Sequence, residues 1–157
     1  MFETTRQFIE EHIDLIDANN YTKLYELALE DRDIFMCSQL TSALNRADIN
    51  PLDFMNEIPP MYNYFNNVEE FLIPDHIVKI GRGAFALTQL KTITIPKSVV
   101  EIESQAFGSC SHLESVYIEN ADCQINSSAF QGCDYPEIFI DKAVSIIHAV
   151  RKPFSKS

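Results

Sequence analysis

The chain has 157 residues, of which 46% are hydrophobic, and a formal net charge of −11. This hydrophobic fraction is enough for one compact domain or two small ones and excludes a disordered chain. No apolar run reaches the roughly 18 to 20 residues of a membrane span. Residues 1–17 are acidic, where a signal peptide is basic and then apolar. These features predict a soluble, cytoplasmic protein.

The negative charge is concentrated in the N-terminal third. Residues 1–57 hold twelve acidic and four basic residues, a net of −8, whereas residues 58–157 hold eleven and eight, a net of −3. Phosphate contacts require a basic surface, so direct binding of nucleic acid is disfavoured. The charge favours protein partners with a basic surface, although charge of this kind also serves solubility alone.

Apolar periodicity predicts a bundle of three to four short helices in residues 1–57. The first three run over residues 3–18, 22–30 and 34–45, the third capped by Asp33. Asn50 and Pro51 open one further helical turn, because proline is favoured at a helix start. The residues predicted to face inward are Phe8, Ile9, Ile13, Ile16, Leu24, Leu27, Ala28, Cys37, Leu40, Thr41 and Leu44.

A domain boundary is predicted at Ile58-Pro59-Pro60, because two prolines cannot continue a helix and favour extended backbone. It divides the chain into an acidic helical cap, residues 1–57, and a second region, residues 58–157.

Residues 71–140 repeat with a step of 22 and then 23 residues. The recurring residues are Phe71, Ile73, Ile80, Ala84 and Phe85, then Ile93, Ile95, Ile102, Ala106 and Phe107, then Val116, Ile118, Ile125, Ala129 and Phe130. An L-x-x-L-x-L kernel at this period is typical of a leucine-rich-repeat solenoid. The predicted fold is therefore α+β: a short solenoid of three to four coils of 22–23 residues, capped by the N-terminal bundle.

Both ends of the solenoid carry weaker repeats. In the first coil, Tyr62 is assigned to the place of Phe107 and Phe65 to the place of Cys110. Ile138 begins a last coil, and residues 143–150 are predicted to form a short capping helix. Coils must stack to bury their apolar faces, so both ends need such covers.

Two runs resemble the BspA-type leucine-rich repeat, whose pattern is I-P-x-S-V-x-x-I-G-x-x-A-F-x-x-C-x-x-L. They are residues 73–85, IPDHIVKIGRGAF, and residues 95–110, IPKSVVEIESQAFGSC. The resemblance covers residues 58–150 at most and departs from the pattern at Glu119 and Asp122. It implies a protein-binding solenoid and not an enzyme. The helical cap without a secretion signal is also similar to small repeat proteins that bacteriophages encode, which would place the protein in a host cytoplasm.

The strands of such a solenoid define a candidate protein-binding face. Inward and outward residues alternate, so successive coils stack outward residues into rows about 4.8 Å apart. One predicted row is Leu72, Thr94, Tyr117 and Phe139, and its neighbour is Glu70, Thr92, Ser115 and Glu137. Exposed leucine and aromatic side chains with a carboxylate rim, to which Glu119 also belongs, are typical of an interface. Cross-strand stabilisation of the sheet is the alternative reading.

The acidic cap is a second candidate surface. Its residues are Glu10, Glu11, Asp14, Asp17, Glu26 and Glu30. Such a surface could occupy a basic nucleic-acid channel as a nucleic-acid mimic, as an anti-CRISPR-like phage inhibitor of a host nuclease or defence complex would. A structural role by self-association through the solenoid ends is a third hypothesis. The oligomeric state, a homodimer included, stays open.

We expect no catalytic, cofactor or metal site. His12, His76, His112 and His148 have no ligand spacing to one another or to a cysteine, and His76 and His112 are predicted to be surface residues. The four cysteines, none in a C-x-x-C pair, predict reduced and mostly buried thiols. A disulfide between Cys110 and Cys133, which share a repeat position, is the alternative.

Overall fold

The computed structural model describes residues 4–16, 20–30 and 35–140. The helical elements confirm the predicted N-terminal bundle. They are α1 (Thr5–Glu11), α2 (Tyr21–Glu30) and α3 (Met36–Arg46), with 3-10 turns at Ile13–Ile16 and Pro51–Asp53. The Asn50 side chain accepts a hydrogen bond from the N–H of Leu52 at 3.1 Å and caps the second turn, with Pro51 at its start.

The first helix is shorter than the predicted span of residues 3–18. Thr4 caps α1, and the helix ends at Glu11; the N–H of the C-cap residue, His12, is shared between the carbonyls of Phe8 and Ile9. The chain then winds into a 3-10 turn, which has three residues per turn and so shifts the inward face. Phe8 is fully buried as predicted, but Ile13 is 63% exposed, and its predicted inward position is wrong.

Helices α2 and α3 pack against each other with the predicted faces inward. Leu24, Ala28 and the predicted residues of α3 are buried, whereas Ile9 and Leu27 are only partly buried. The Tyr25 hydroxyl hydrogen-bonds the Thr41 hydroxyl at 2.6 Å, which satisfies both buried polar groups. The predicted cap Asp33 lies outside the described residues.

Residues 57–140 form the predicted solenoid, which is built from two parallel sheets. One sheet, here called the short-strand sheet, has the order β1 (Glu57–Ile58), β2 (Lys79–Ile80), β4 (Glu101–Ile102) and β6 (Gln124–Ile125). The other, called the ladder sheet, has the order β3 (Thr92–Ile95), β5 (Ser115–Ile118) and β7 (Glu137–Ile140). Every pairing is in register, so equivalent residues of successive coils lie beside each other.

The core of the solenoid is a column of stacked phenylalanines. Phe85, Phe107 and Phe130 are fully buried, and their rings stack with centroids 5.3 Å apart and planes 7° apart. The ring of Phe71 meets that of Phe85 edge-on at 4.9 Å. Recurrence of one aromatic residue per coil thus gives every coil the same buried contact, which is how a solenoid stabilises itself.

The first coil is out of the predicted register by one residue. The N–H of Phe65 donates to the carbonyl of Ala86 at 2.8 Å, as the N–H of Leu87 donates to that of Gly108 at 2.8 Å. Phe65 therefore occupies the place of Leu87 and not that of Cys110. The prediction counted nine residues from the aromatic place to the kernel, as between Phe107 and Val116, whereas the first coil is one residue shorter.

The same shift moves Tyr62, which was assigned to the place of Phe107. Asn63 occupies that place instead, since its N–H donates to the carbonyl of Ala84 at 2.6 Å. Tyr62 is nevertheless buried, and its ring lies 6.3 Å from Phe71 and 5.9 Å from Tyr25. It links the helical bundle to the phenylalanine column.

Further contacts join the bundle to the solenoid. His76 Nε2 donates to the carbonyl of Leu52 at 2.6 Å, and β1 pairs with β2 although Glu57 belongs to the predicted cap. The division at residues 57 and 58 stays a prediction. At the other end, the predicted capping helix of residues 143–150 lies outside the described residues.

Candidate protein-binding face

The ladder sheet contains three of the four positions in each predicted outward row, whereas the first positions, Leu72 and Glu70, lie on the preceding coil in a segment that forms no strand. Ile93 and Ile95 of β3 point into the core, and Thr94 between them is exposed. Thr94 pairs with Tyr117, and Tyr117 pairs with Phe139, in the register that the sequence step predicted. We call this surface the ladder face; its residues are Leu72, Thr94, Tyr117 and Phe139, with Glu70, Thr92, Ser115, Glu119 and Glu137 around them.

The large residues of the ladder face are accessible to different degrees. Leu72 is 89% exposed, the highest value among the exposed large hydrophobic side chains of the described residues. Tyr117 and Phe139 are half-buried, and their rings stack with centroids 5.2 Å apart and planes 14° apart. The stack fixes the orientation of both rings, because rotation of either one would break the contact.

Carboxylates lie around the apolar row. Glu70 and Glu137 are exposed and Glu119 is half-buried. The residues just before Thr92 and Ser115 are Lys91 and Glu114, and both are exposed. Lys91 is the basic residue at this position of the coils. The charge around the ladder face is therefore mainly negative.

The acidic cap shows its carboxylates to solvent as well. Glu10 and Glu11 are exposed on α1, as is Asp14 on the 3-10 turn. Glu26 and Glu30 are exposed on α2, where Lys23 lies 3.8 Å from Glu26. Asp17 lies outside the described residues.

An exposed aromatic cluster at the junction of bundle and solenoid was missed by the sequence analysis. Phe65 is 61% exposed and its ring lies 5.9 Å from Phe35, which in turn lies 5.6 Å from Tyr64. Phe65 also has a left-handed backbone, with φ at 60°. Its assignment to a buried place concealed the cluster, and only the hydrogen-bond register of the first coil reveals it.

The cysteines and histidines lie in structural positions. None of the four cysteines forms a disulfide bond; Cys37, Cys110 and Cys133 are buried, and Cys123 is partly buried. Cys110 Sγ donates to the carbonyl of Phe85, and Cys133 Sγ to that of Phe107, each at 3.0 Å. The structure thus favours free thiols over the alternative disulfide.

His76 and His112 are exposed as predicted, and His148 lies outside the described residues. Within residues 4–16, 20–30 and 35–140, no group of three or more histidine, cysteine or acidic side chains is arranged to hold a metal ion.

Stacked parallel coils with exposed side-chain rows define a leucine-rich-repeat module, a class that typically mediates protein interactions and carries no catalytic site. The family model described as BspA type leucine rich repeat region (6 copies) matches residues 55–155, and the chain belongs to that family. The match extends beyond both ends of the predicted stretch, residues 58–150. No curated protein and no solved structure matches the chain. Among the described helices, none is long and apolar enough to cross a membrane.

Proposed function

We propose that this protein is a non-enzymatic, cytoplasmic interaction module that binds a protein partner through the ladder face. One observation carries the proposal: Tyr117 and Phe139 pair in register and stack on the outer surface of the ladder sheet, and Leu72, on the preceding coil, is 89% exposed. Aromatic and leucine side chains at the centre of a patch, with polar groups around them, are the usual composition of a binding surface.

Stabilisation of the sheet alone does not account for this row. Tyr117 and Phe139 do support each other across β5 and β7 by stacking. Leu72, however, is 89% exposed and gains almost nothing from burial in the isolated chain. An apolar side chain displayed in this way, on the coil before Thr94, is explained by a partner that covers it.

The carboxylates define the partner further. Glu70, Glu119 and Glu137 surround the apolar row. A partner with a basic surface gains from this arrangement, whereas nucleic acid and anionic membranes are repelled. The proposal therefore includes neither direct nucleic-acid binding nor membrane binding.

The test uses the ladder variant Tyr117→Asp with Phe139→Asp as bait beside the wild-type protein in a bacterial lysate. Gln124→Asp with Ser127→Asp is the matched control, because it adds the same two charges at exposed sites away from the ladder face. Circular dichroism first verifies that each variant is folded. We expect one captured protein to be lost with the ladder variant and kept with the control. Capture that survives in the ladder variant contradicts the proposal.

A second candidate function belongs to the acidic cap. The described carboxylates Glu10, Glu11, Asp14, Glu26 and Glu30 are all exposed, so the cap could mimic nucleic acid and inhibit a host nuclease or defence complex, as a phage inhibitor would. Binding of this kind weakens steeply with salt and competes with DNA or RNA. Neutralising Glu10, Glu11 and Asp14 then abolishes capture while the ladder variant retains it. Sedimentation at several concentrations separates both functions from self-association, which predicts a mass that rises with concentration.

A further inference from the structure

The ladder sheet has an open edge at β3. Its strand order is β3, β5 and β7, so β3 pairs with β5 on one side only. On the other side of β3 lies a segment of the first coil, residues 70–73. Among the described residues, no backbone hydrogen bond joins this segment to β3. An unpaired strand edge of this kind offers a row of N–H and C=O groups to another chain.

The opening is confined to these few residues, because the first two coils are joined on both sides of it. Before the opening, the N–H of Gln89 donates to the carbonyl of Val68 at 3.0 Å. After it, the N–H of Val100 donates to the carbonyl of Val78 at 2.8 Å. The open edge therefore has a fixed place in the fold and does not result from a loose first coil.

A shallow depression lies between the segment and β3. Its volume is about 330 Å³, and it is lined by residues 70–72 and 92–94. Ile93 points into the core and is only 2% exposed, so it lines the depression through its backbone. The core beneath is filled, because the ring of Phe71 packs edge-on against that of Phe85 at 4.9 Å. The depression thus gives access to the strand edge but leaves no space for a large side chain below it.

Thr92 and Thr94 carry the backbone groups of the open edge. Alternate residues of a strand direct their N–H and C=O groups to opposite neighbours. The carbonyl of Ile95 accepts from the N–H of Glu119 at 3.0 Å, so the odd-numbered residues of β3 face the coil of β5. Thr92 and Thr94 therefore direct their N–H and C=O groups away from β5 and toward the depression. Within the described part of the chain, these groups make no backbone hydrogen bond across the opening.

We propose that the open edge of β3 binds an extended segment of the protein partner, which adds to the ladder sheet as a further strand. Main-chain hydrogen bonds to Thr92 and Thr94 hold this segment. The filled core limits its inward residues to glycine or alanine. Glu70, exposed at the rim of the depression, favours lysine or arginine among its outward residues. This inference rests on the proposed function of the ladder face and adds the conformation of the partner.

The first test measures fluorescence anisotropy of a labelled peptide, in which alanine alternates with lysine or valine, with the full-length protein. Thr94→Pro removes one N–H from the open edge, and proline is tolerated in an edge strand when that N–H faces solvent. Thr94→Val keeps the N–H and is the matched control; urea denaturation verifies that both variants are folded. We expect Thr94→Pro to weaken the peptide by about fivefold or more and Thr94→Val to leave its affinity unchanged. Equal binding of the peptide by the two variants overturns the edge as its site.

A second peptide separates strand pairing from charge. It carries proline at two of the alanine positions, so it keeps the charge but cannot pair as a central strand. The wild-type protein should bind it about fivefold more weakly or worse. Equal binding of the two peptides, or no binding of either, overturns the addition of a strand.

Amide hydrogen exchange followed by NMR gives a readout that needs no substitution. In the free protein the N–H of Thr94 should exchange rapidly and that of Glu119, which bonds the carbonyl of Ile95, slowly. The alternating peptide should slow exchange at Thr94 and leave Glu119 unchanged. Exchange at Thr94 that is already as slow as at Glu119 without peptide would show a closed edge and overturn the inference.

The two levels of the proposal fail separately when Thr94→Pro is also used as bait in the lysate. If the ladder variant loses the captured protein but Thr94→Pro keeps it, the ladder face stays the binding surface and the inference about the β3 edge is wrong. If the ladder variant keeps its captured protein, the proposed function fails, and the edge inference fails with it.

Discussion

The ring of Phe107 lies between those of Phe85 and Phe130, 5.3 Å from each, with no exposed surface. Truncation to alanine leaves a cavity in the middle of the column that neither neighbour can fill without breaking its own stack. We expect Phe107→Ala to lower the free energy of unfolding by about 3 to 5 kcal/mol in urea denaturation. Phe65→Ala is the control at an exposed ring, and a loss of similar size in both variants would contradict the column as the main support of the coils.

The thiols are predicted to be unreactive in the folded protein. Burial, with a smaller contribution from the Glu101 charge, raises the pKa of Cys123 to about 11. Its thiolate fraction at pH 8 is then about one in a thousand. The hydrogen bond with Cys110 and burial also raise the pKa of Cys133. The same hydrogen bond lowers the pKa of Cys110 to about 7, but Cys110 is fully buried, so a reagent does not reach its sulfur while the coils stay closed.

Labelling with a chromogenic disulfide reagent at pH 8 checks this prediction. All four thiols should react rapidly in urea, and the native protein should react only slowly, first at Cys123. A thiol that labels within the mixing time in native buffer would show that a coil opens readily.

The positions of some single residues could be predicted from the sequence, and those of others could not. The phenylalanine column was predictable because the same residue recurs at one place in three coils. Ile13 was not, since its outward position depends on where α1 gives way to a 3-10 turn, and an amphipathic pattern does not fix that point. Phe65 was assigned to the wrong place because the first coil is one residue shorter than the coil used for the count. That difference shifts the assignment of the residues that precede the kernel.

Among the structural elements, the ladder sheet was predictable and the short-strand sheet was not. Each four-residue strand of the ladder sheet shows the alternation that identifies a strand. The short strands, such as Lys79–Ile80, have two residues and show no alternation. The positions of Thr94, Tyr117 and Phe139 could be predicted from the sequence for the same reason, whereas the place of Leu72 outside the sheet could not, because its segment has the same alternation and yet forms no strand.

The close approach of β1 and β2 gives a prediction at the scale of elements. A Cβ at Gly81 would lie 2.7 Å from the carbonyl oxygen of Ile58 and 2.8 Å from the nitrogen of Pro60. Backbone atoms cannot move aside cheaply, so Gly81→Ala should separate the first two coils and destabilise the protein by about 1 to 3 kcal/mol.

Gly108→Ala is the matched control for this substitution. There the nearest atom is the end of the Gln105 side chain, which can rotate away at the cost of its hydrogen bond to Gln131. We therefore expect a smaller loss of stability in chemical denaturation. Equal stability of the two variants would mean that the first two coils are not held as closely as the structure shows.

At the scale of the whole molecule, charge and packing divide the chain differently. The acidic excess belongs to residues 1–57, which carry a net of −8. The packing shows no such division, because one hydrophobic cluster extends from Phe8 in α1 to Ile138 in β7. The cap thus supplies charge to the surface while its interior continues the core of the solenoid.

A continuous path of aromatic rings runs through this core. It passes from Tyr25 in α2 to Tyr62, then to Phe71, and from there into the phenylalanine column, with centroid separations of 5.9, 6.3 and 4.9 Å at the first three steps. Burial raises the pKa of Tyr25 and of Tyr62 above the ordinary value, which reflects how completely the junction excludes water. A cap that could separate from the coils would leave these rings in solvent.

We therefore predict that cap and solenoid unfold together. Helical content followed by far-ultraviolet circular dichroism and tyrosine fluorescence should give coincident urea transitions, because loss of the bundle exposes Tyr62 and Phe71 and removes the strand partner of β2. Tyr62→Ala tests the coupling, since it removes the ring that joins the two parts. It should lower the free energy of unfolding that each probe reports by the same amount, about 3 kcal/mol or more. Two separate transitions would instead establish residues 1–57 and 58–157 as independent domains, and the acidic cap could then act apart from the ladder face.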